Sequence, residues 1–226
     1  MAQYFADFSD YPDGPLPSSI VRIWDVVDAV TIVNGCLSFR DSANRRAIAY
    51  IPDAPKTSGV TEAYMRYHST VAVKTIPMLV LRGTVASVNG ASGYQVLHHR
   101  DNTALEIRRR IIGAESSRFA FFYAPLLANT VYCMRVRVET EPGLVRFGAK
   151  VWAADTIEPD NFTELTDTAA NRIISEGIFG FGSMGGSDST GYVRIAAVGF
   201  GTDGDAAPTA AAVPRRAPTP LFMTPW

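Results

Sequence analysis

The chain has 226 residues, with 21 Lys and Arg against 22 Asp and Glu. That balance gives no bulk electrostatic reason to expect nucleic acid or an anionic membrane as partner, and no apolar stretch approaches the roughly 18 residues of a spanning helix. The length suits one large β domain, and Met1-Ala2-Gln3-Tyr4 lacks the charged-then-apolar layout of a secretory signal, so synthesis in a cytoplasm is expected.

In chain order, the first strong signal is Asn34-Gly35 between the apolar runs 30–33 and 36–39. It predicts a tight hairpin, because both central residues of a type I′ turn need positive φ. Residues 62–68, 76–81, 94–99, 104–112, 119–123, 131–138, 145–152 and 192–198 follow. All are short, rich in β-branched or aromatic residues and bounded by Gly, Asn, Pro or Ser, and so read as strands. Asn89-Gly90 reads as a second turn. The only candidate helix is short, around residues 160–165 or 169–174. Regular strands with turns between them predict a sandwich or jelly roll. Cys36 and Cys133 have no CxxC partner or histidine at ligand spacing, so buried thiols are expected rather than a metal site or disulfide.

Alternation assigns faces. Glu106, Arg108 and Arg110 share one side of their strand, Arg135 and Arg137 share one side of theirs, and Arg146 and Lys150 lie on the side of Trp152. If these strands are neighbours, they make a basic face with Glu106 and Glu139 interleaved, either a solvated surface of mixed ion pairs or a docking face for an acidic partner. His98 and His99 are adjacent, so they point to opposite sides of a strand and at most one serves any one site. No Gly-x-Ser-x-Gly elbow or phosphate loop is present.

The order of motifs resembles a known family. Asp7-Phe8-Ser9, then Asp13-Gly14-Pro15-Leu16, then residues 30–33 running into Asn34-Gly35-Cys36-Leu37, resembles the opening of concanavalin A-like (LamG-like) jelly-roll domains. Gly93-Tyr94-Gln95-Val96, Leu105-Glu106-Ile107-Arg108 and Thr130-Val131-Tyr132 leading to residues 135–138 continue it. Ala149-Lys150-Val151-Trp152, Glu158-Pro159-Asp160-Asn161-Phe162 and Gly180-Phe181-Gly182 are similar to the late part of such domains, with Phe162 where tryptophan is usual. The resemblance spans residues 7–200 and implies an all-β concanavalin A-like jelly-roll sandwich of two antiparallel sheets over residues 1–202. Such domains occur in lectins, glucanases and tailed-phage structural proteins, so the fold leaves function open.

The glucanases of this fold carry Glu-x-Asp-x-Glu on one strand, which this chain lacks; Glu139-Thr140-Glu141 runs into Pro142-Gly143 and reads as a strand entering a turn. A non-enzyme is therefore expected. The lectin resemblance implies a glycan platform from Tyr94, His98 and Trp152, and a calcium site drawn from Asp10, Asp13, Asp155, Asp160 and Asp167, although no loop has the Asp-x-Asp-x-Asp-Gly density of a dedicated site.

Residues 203–226 form a Pro- and Ala-rich tail, extended because its prolines deny it helix and ladder donors. Pro214, Pro218 and Pro220 stiffen it, and Leu221, Phe222, Met223 and Trp226 are its apolar anchors. The expected role is docking on a partner, other virion proteins or copies of the same chain, so that the whole reads as a non-enzymatic virion component. A sugar-binding module and a tail that packs back on its own domain are the alternatives.

Overall fold

A computed structural model describes residues 3–24, 30–40, 46–52, 54, 56, 59–69, 75–87, 90–99, 104–111, 117–185 and 191–209. Its strands are β1 (Gln3–Asp7), β2 (Gly14–Pro15), β3 (Val21–Trp24), β4 (Val30–Val33), β5 (Cys36–Arg40), β6 (Arg46–Tyr50), β7 (Thr61–Ser69), β8 (Thr75–Ser87), β9 (Gly90–His99), β10 (Ala104–Arg110), β11 (Ser117–Tyr123), β12 (Val131–Glu141), β13 (Leu144–Ala153), β14 (Thr163–Asp167), β15 (Ile178–Gly185) and β16 (Tyr192–Thr202). Among the described residues they make two antiparallel sheets. One is nine-stranded, in the order β14-β13-β12-β7-β16-β5-β4-β2 with β1 also on β16; the other is seven-stranded, in the order β11-β10-β9-β8-β15-β6-β3.

Alternation along each strand sends one set of side chains between the sheets. Met65 and Tyr67 of β7, Met134 and Val136 of β12 and Phe147 of β13 meet Leu79, Val96, Ile107 and Phe181 of the seven-stranded sheet in one core. Phe181 is packed on two sides, by Phe8 at 6.0 Å and by Phe39 edge-on at 6.4 Å between ring centroids. Burying each such ring stabilises the fold by about 1.5–3 kcal/mol before the unfolded chain's own compaction is discounted. Asn34 and Gly35 adopt φ of 51° and 69°, and Val33 pairs with Cys36, as the hairpin motif predicts. Residues Gln3–Asp7 do not reach for a partner: they pair with β16. Asp7 then caps the following turn by accepting from Ser9 N at 3.0 Å.

The structure corrects two expectations and leaves others outside what it describes. No α-helix occurs among the described residues; the segment 160–165 runs into β14, whose Thr163 and Thr166 suit an edge strand on β13, and 169–174 is turns and irregular chain. Strand β10 lies in the opposite sheet from β12 and β13, so the expected basic face is divided between two surfaces. Ser87 pairs with Gly90, so the second turn closes on residues 88 and 89, which lie outside the described residues. Residues 210–226, with Pro214, Pro218, Pro220, Leu221, Phe222, Met223 and Trp226, also lie outside them.

Candidate functional site

The outer face of the nine-stranded sheet carries Arg135, Arg137, Arg146, Lys150 and Trp152, but not as a free basic surface. Arg135 is 8% exposed and pairs with Glu62, which stands on the neighbouring β7, and at 2.7 Å with Glu158. Lys150 Nζ is 2.8 Å from the same Glu158, donates to the Pro159 carbonyl at 2.7 Å and lies over the Phe162 ring. The ring at position 162 thus packs where the resemblance implies an aromatic. Burial alone would raise the Glu158 pKa, but Lys150 and Arg135 outweigh it and hold the carboxyl below its ordinary value. Arg146 pairs with Glu141 in solvent, and Arg137 is exposed.

The first residues of the tail complete this face. Ala207 N donates to Glu62 Oε1 at 3.0 Å, while Arg135 Nη1 donates to Ala207 O at the same distance. The methyl of Ala207 is buried with Tyr64 and Cys133, against Trp152. The chain passes so close to β16 that a Cβ added at Gly199 would stand 2.1 Å from Pro208 O, and one at Gly201 2.2 Å from Asp205 O. Residues 205–209 therefore pack back on their own domain, one of the two readings of the tail, while its anchor residues lie outside the described residues. Cys133 is buried and free as expected, with Sγ 3.2 Å from Tyr64 Oη; Cys36 is half-buried.

On the seven-stranded sheet, β9, β10 and β11 place a polar cluster on the outer face. Glu106, fully buried, accepts from Arg108 Nε and from Arg108 Nη2 at 3.0 Å, with His99 Nε2 at an ion-pair distance of 2.8 Å and Arg118 Nε at 3.2 Å. Burial would raise the Glu106 pKa; hydrogen bonds from His99 and Arg108, with their charge, reverse that and hold it at about 2. Arg118 reaches this face because β11 carries a bulge: Ala120 pairs with Ile107 but Arg118, not Phe119, stands opposite Arg108. Glu106 lies between the two like charges, the interleaving such a pair requires.

Gln95 faces the same side, opposite Arg108, and is fully buried with no hydrogen-bond partner at Oε1 or Nε2 among the described residues. Beside it Met78, Val80, Leu97 and Ile48 form an apolar floor. The sheet curls, since β3 touches β9 although three strands separate them in the order. Arg118, with 56% of its side chain exposed, marks where the cluster opens to solvent.

The structure does not bring the expected glycan platform together. Tyr94 is a core residue that donates to Asp167 Oδ2 at 2.9 Å and accepts from Ile173 N at 2.9 Å. His98 also points inward: because the Ala124 carbonyl can only accept, its Nε2 is the donor, at 2.9 Å, and Nδ1 accepts from Tyr67 Oη. Burial pushes its pKa down to about 4. Trp152 is on the outer face of the opposite sheet. Of the calcium candidates, Asp167 is buried and spent on Arg109 and Tyr94, and among the described residues no group of three or more His, Cys, Asp or Glu is placed to hold a metal ion. Arg108 belongs to the polar cluster, and Arg110 ends β10 half-buried. Sequence reasoning missed Gln95, His99 and Arg118. A signal existed for the first two: Gln95, Leu97 and His99 alternate on the side away from Tyr94, as Glu106 and Arg108 do from Ile107.

No family model matches the sequence, and no curated protein matches it either. Solved structures do. The chain is similar to the carbohydrate-binding module CBM66 from Bacillus subtilis, with 13% identity over 81% of this chain and 96% of that one and a TM-score of 0.56. It is similar to the carbohydrate recognition domain of Emp47p, at 12% identity over 86% and 92% with a TM-score of 0.58, and to arcelin-5, a lectin-like defence protein from Phaseolus vulgaris, at 8% over 88% and 97% with a TM-score of 0.57. An enzyme appears too: the xylan β-1,4-xylosidase from Bacillus halodurans C-125, at 11% identity and a TM-score of 0.55, where the match covers 38% of that chain. At these identities the likeness is one of fold, and the fold of this chain is the concanavalin A-like jelly-roll sandwich.

Proposed function

We propose that the chain is a non-catalytic carbohydrate-recognition domain whose sugar surface is the polar half of the seven-stranded sheet's outer face. The observation that carries this reading is Gln95, a fully buried amide with both ends unpaired among the described residues. A buried polar group left unpaired costs about 1–3 kcal/mol, so a folded chain that keeps one has a use for it. An amide that donates and accepts, an ionised Glu106 and the Arg108 guanidinium are the groups that read sugar hydroxyls, and the exposed Arg118 is the edge from which a sugar would reach them. Neighbours of known structure that are named as carbohydrate-binding domains favour the same reading.

Hydrolysis by the two-carboxylate route is disfavoured here. Among the described residues Glu106 is the one carboxylate of this cluster, and a pKa near 2 keeps it ionised and unfit as a general acid. The test is a glycan array with the wild-type chain and with Gln95→Leu, Glu106→Gln and Trp152→Ala. Binding by the wild type and Trp152→Ala, lost in the other two while they stay folded, supports the proposal. Unchanged binding by Gln95→Leu overturns it.

A second reading is favoured by the seat of residues 205–209, which brings the chain across the outer side of β16 as far as residue 209. In that reading the chain is a virion component, and Leu221, Phe222, Met223 and Trp226 bind a neighbouring subunit. Removing residues 214–226 should then leave a folded domain that no longer joins particles; unchanged incorporation would sink this reading.

A further inference from the structure

We propose that the ligand of the seven-stranded face is an acidic glycan, whose carboxylate or sulfate pairs with Arg118. The inference rests on the carbohydrate reading and adds the class of sugar.

It follows from a charge count that the geometry forces. Among the described residues Glu106 supplies the single negative charge of the cluster, yet Arg108, Arg118 and His99 all converge on it within 3.2 Å. Arg108 spends Nε and Nη2 on that carboxylate, whereas Arg118 approaches it through Nε at 3.2 Å with 56% of its side chain exposed. Even with His99 neutral, two guanidinium charges face one carboxylate.

A neutral sugar laid across this face would strip water from the spare charge without replacing it, which is unfavourable. An anionic substituent reverses the sign of that effect. It meets the free edge of a planar guanidinium, which matches a carboxylate or sulfate through two parallel N–H donors. The bulge that aims Arg118 at Arg108 makes sense on the same terms: two like charges set opposite one another cost stability unless anions come between them. Glu106 supplies one such anion from the protein, and the ligand supplies the second. The unpaired Gln95 amide sits deeper, opposite Arg108, where it meets ring hydroxyls rather than the charge.

The experiment is calorimetric titration of the full chain with matched oligosaccharides, xylo-oligosaccharides with and without glucuronate branches and galactan fragments against oligogalacturonate. Inorganic sulfate and citrate serve as non-sugar controls. The acidic member of a pair is expected to bind at least roughly tenfold tighter, and Arg118→Gln to remove that advantage while leaving thermal stability unchanged, since Arg118 is exposed. Salt at about 0.5 M should weaken the acidic ligand selectively. Equal affinity within each pair overturns the acidic class and leaves the carbohydrate reading standing. Binding to none of the four sugars overturns both. Citrate or sulfate binding as tightly as the acidic sugar also overturns the inference, because the site would then be a plain anion site.

Discussion

On the outer face of the nine-stranded sheet two carboxylates, Glu62 and Glu158, meet two cations, Arg135 and Lys150, and the chain's own Ala207 occupies the remaining donor and acceptor. On the outer face of the seven-stranded sheet one carboxylate meets three basic groups, and an amide beside it has no hydrogen-bond partner, among the described residues. Both faces use the same residue types on alternating strand positions. The difference teaches how to separate structural from functional polarity in a sandwich: a balanced cluster closed by its own chain holds the fold, and an unbalanced one is made for something else.

The largest effect should come from breaking the balanced face. Arg135→Met leaves the buried Glu62 without its cation, while the partly exposed Glu158 keeps Lys150, and a loss of about 3 kcal/mol is expected, read as a lower denaturant midpoint at unchanged m-value. If the midpoint barely moves, the network does not hold the face. Acid probes the other cluster. Because the folded pKa of Glu106 is lowered to about 2, its contribution is present above the ordinary carboxylate value of about 4.5 and is lost as pH falls from there toward 2. The full loss is roughly 3 kcal/mol. Urea titrations of wild type and Glu106→Gln between pH 5 and about 2.5 should converge as pH falls, and parallel curves would show that the cluster is not charged as described.

A smaller effect is expected at the glycine track. Gly199→Ala sets a methyl against the Pro208 carbonyl, so residues 205–209 must lift or β16 must shift, at about 1–3 kcal/mol. Hydrogen exchange at the Ala207 amide should speed up, and unchanged protection would show that Glu62 does not hold it. Gln95→Leu carries the sharpest sign: removing an unpaired buried amide should raise stability by about 1 kcal/mol while removing sugar binding. Destabilisation by that substitution would mean the amide already has a structural partner. Arg146→Ala, which breaks a solvent-exposed pair with Glu141, should produce no measurable change in the denaturation midpoint.

The fold was largely legible because its signals are local. Period-two alternation, Asn34-Gly35 and the short apolar runs between turn residues each specify their own neighbourhood. The site was less legible because it depends on register. Glu106 and Arg108 share a face on any strand, but whether His98 or His99 joins them depends on which side of β9 faces the core, a choice settled by packing with Tyr67 and Ala124. Trp152 and Tyr94 are aromatic in the sequence alike; only the sheet order shows that one lies outside one sheet and the other between the two. The helix expected near residue 160 failed for a related reason, since β13 offered its edge to Thr163–Asp167.

The bulge in β11 makes the charge on one surface a matter of counting. Phe119 is the extra residue, and Arg118 stands opposite Arg108 only because that residue is passed over. Deleting Phe119 would remove the bulge and leave Arg118 opposite Arg108 in an unbroken ladder, so the charge would stay on this face while the strand lost its local kink. Substitution scanning tests what a side chain is; a one-residue deletion here would test the bulge while keeping the charge in place.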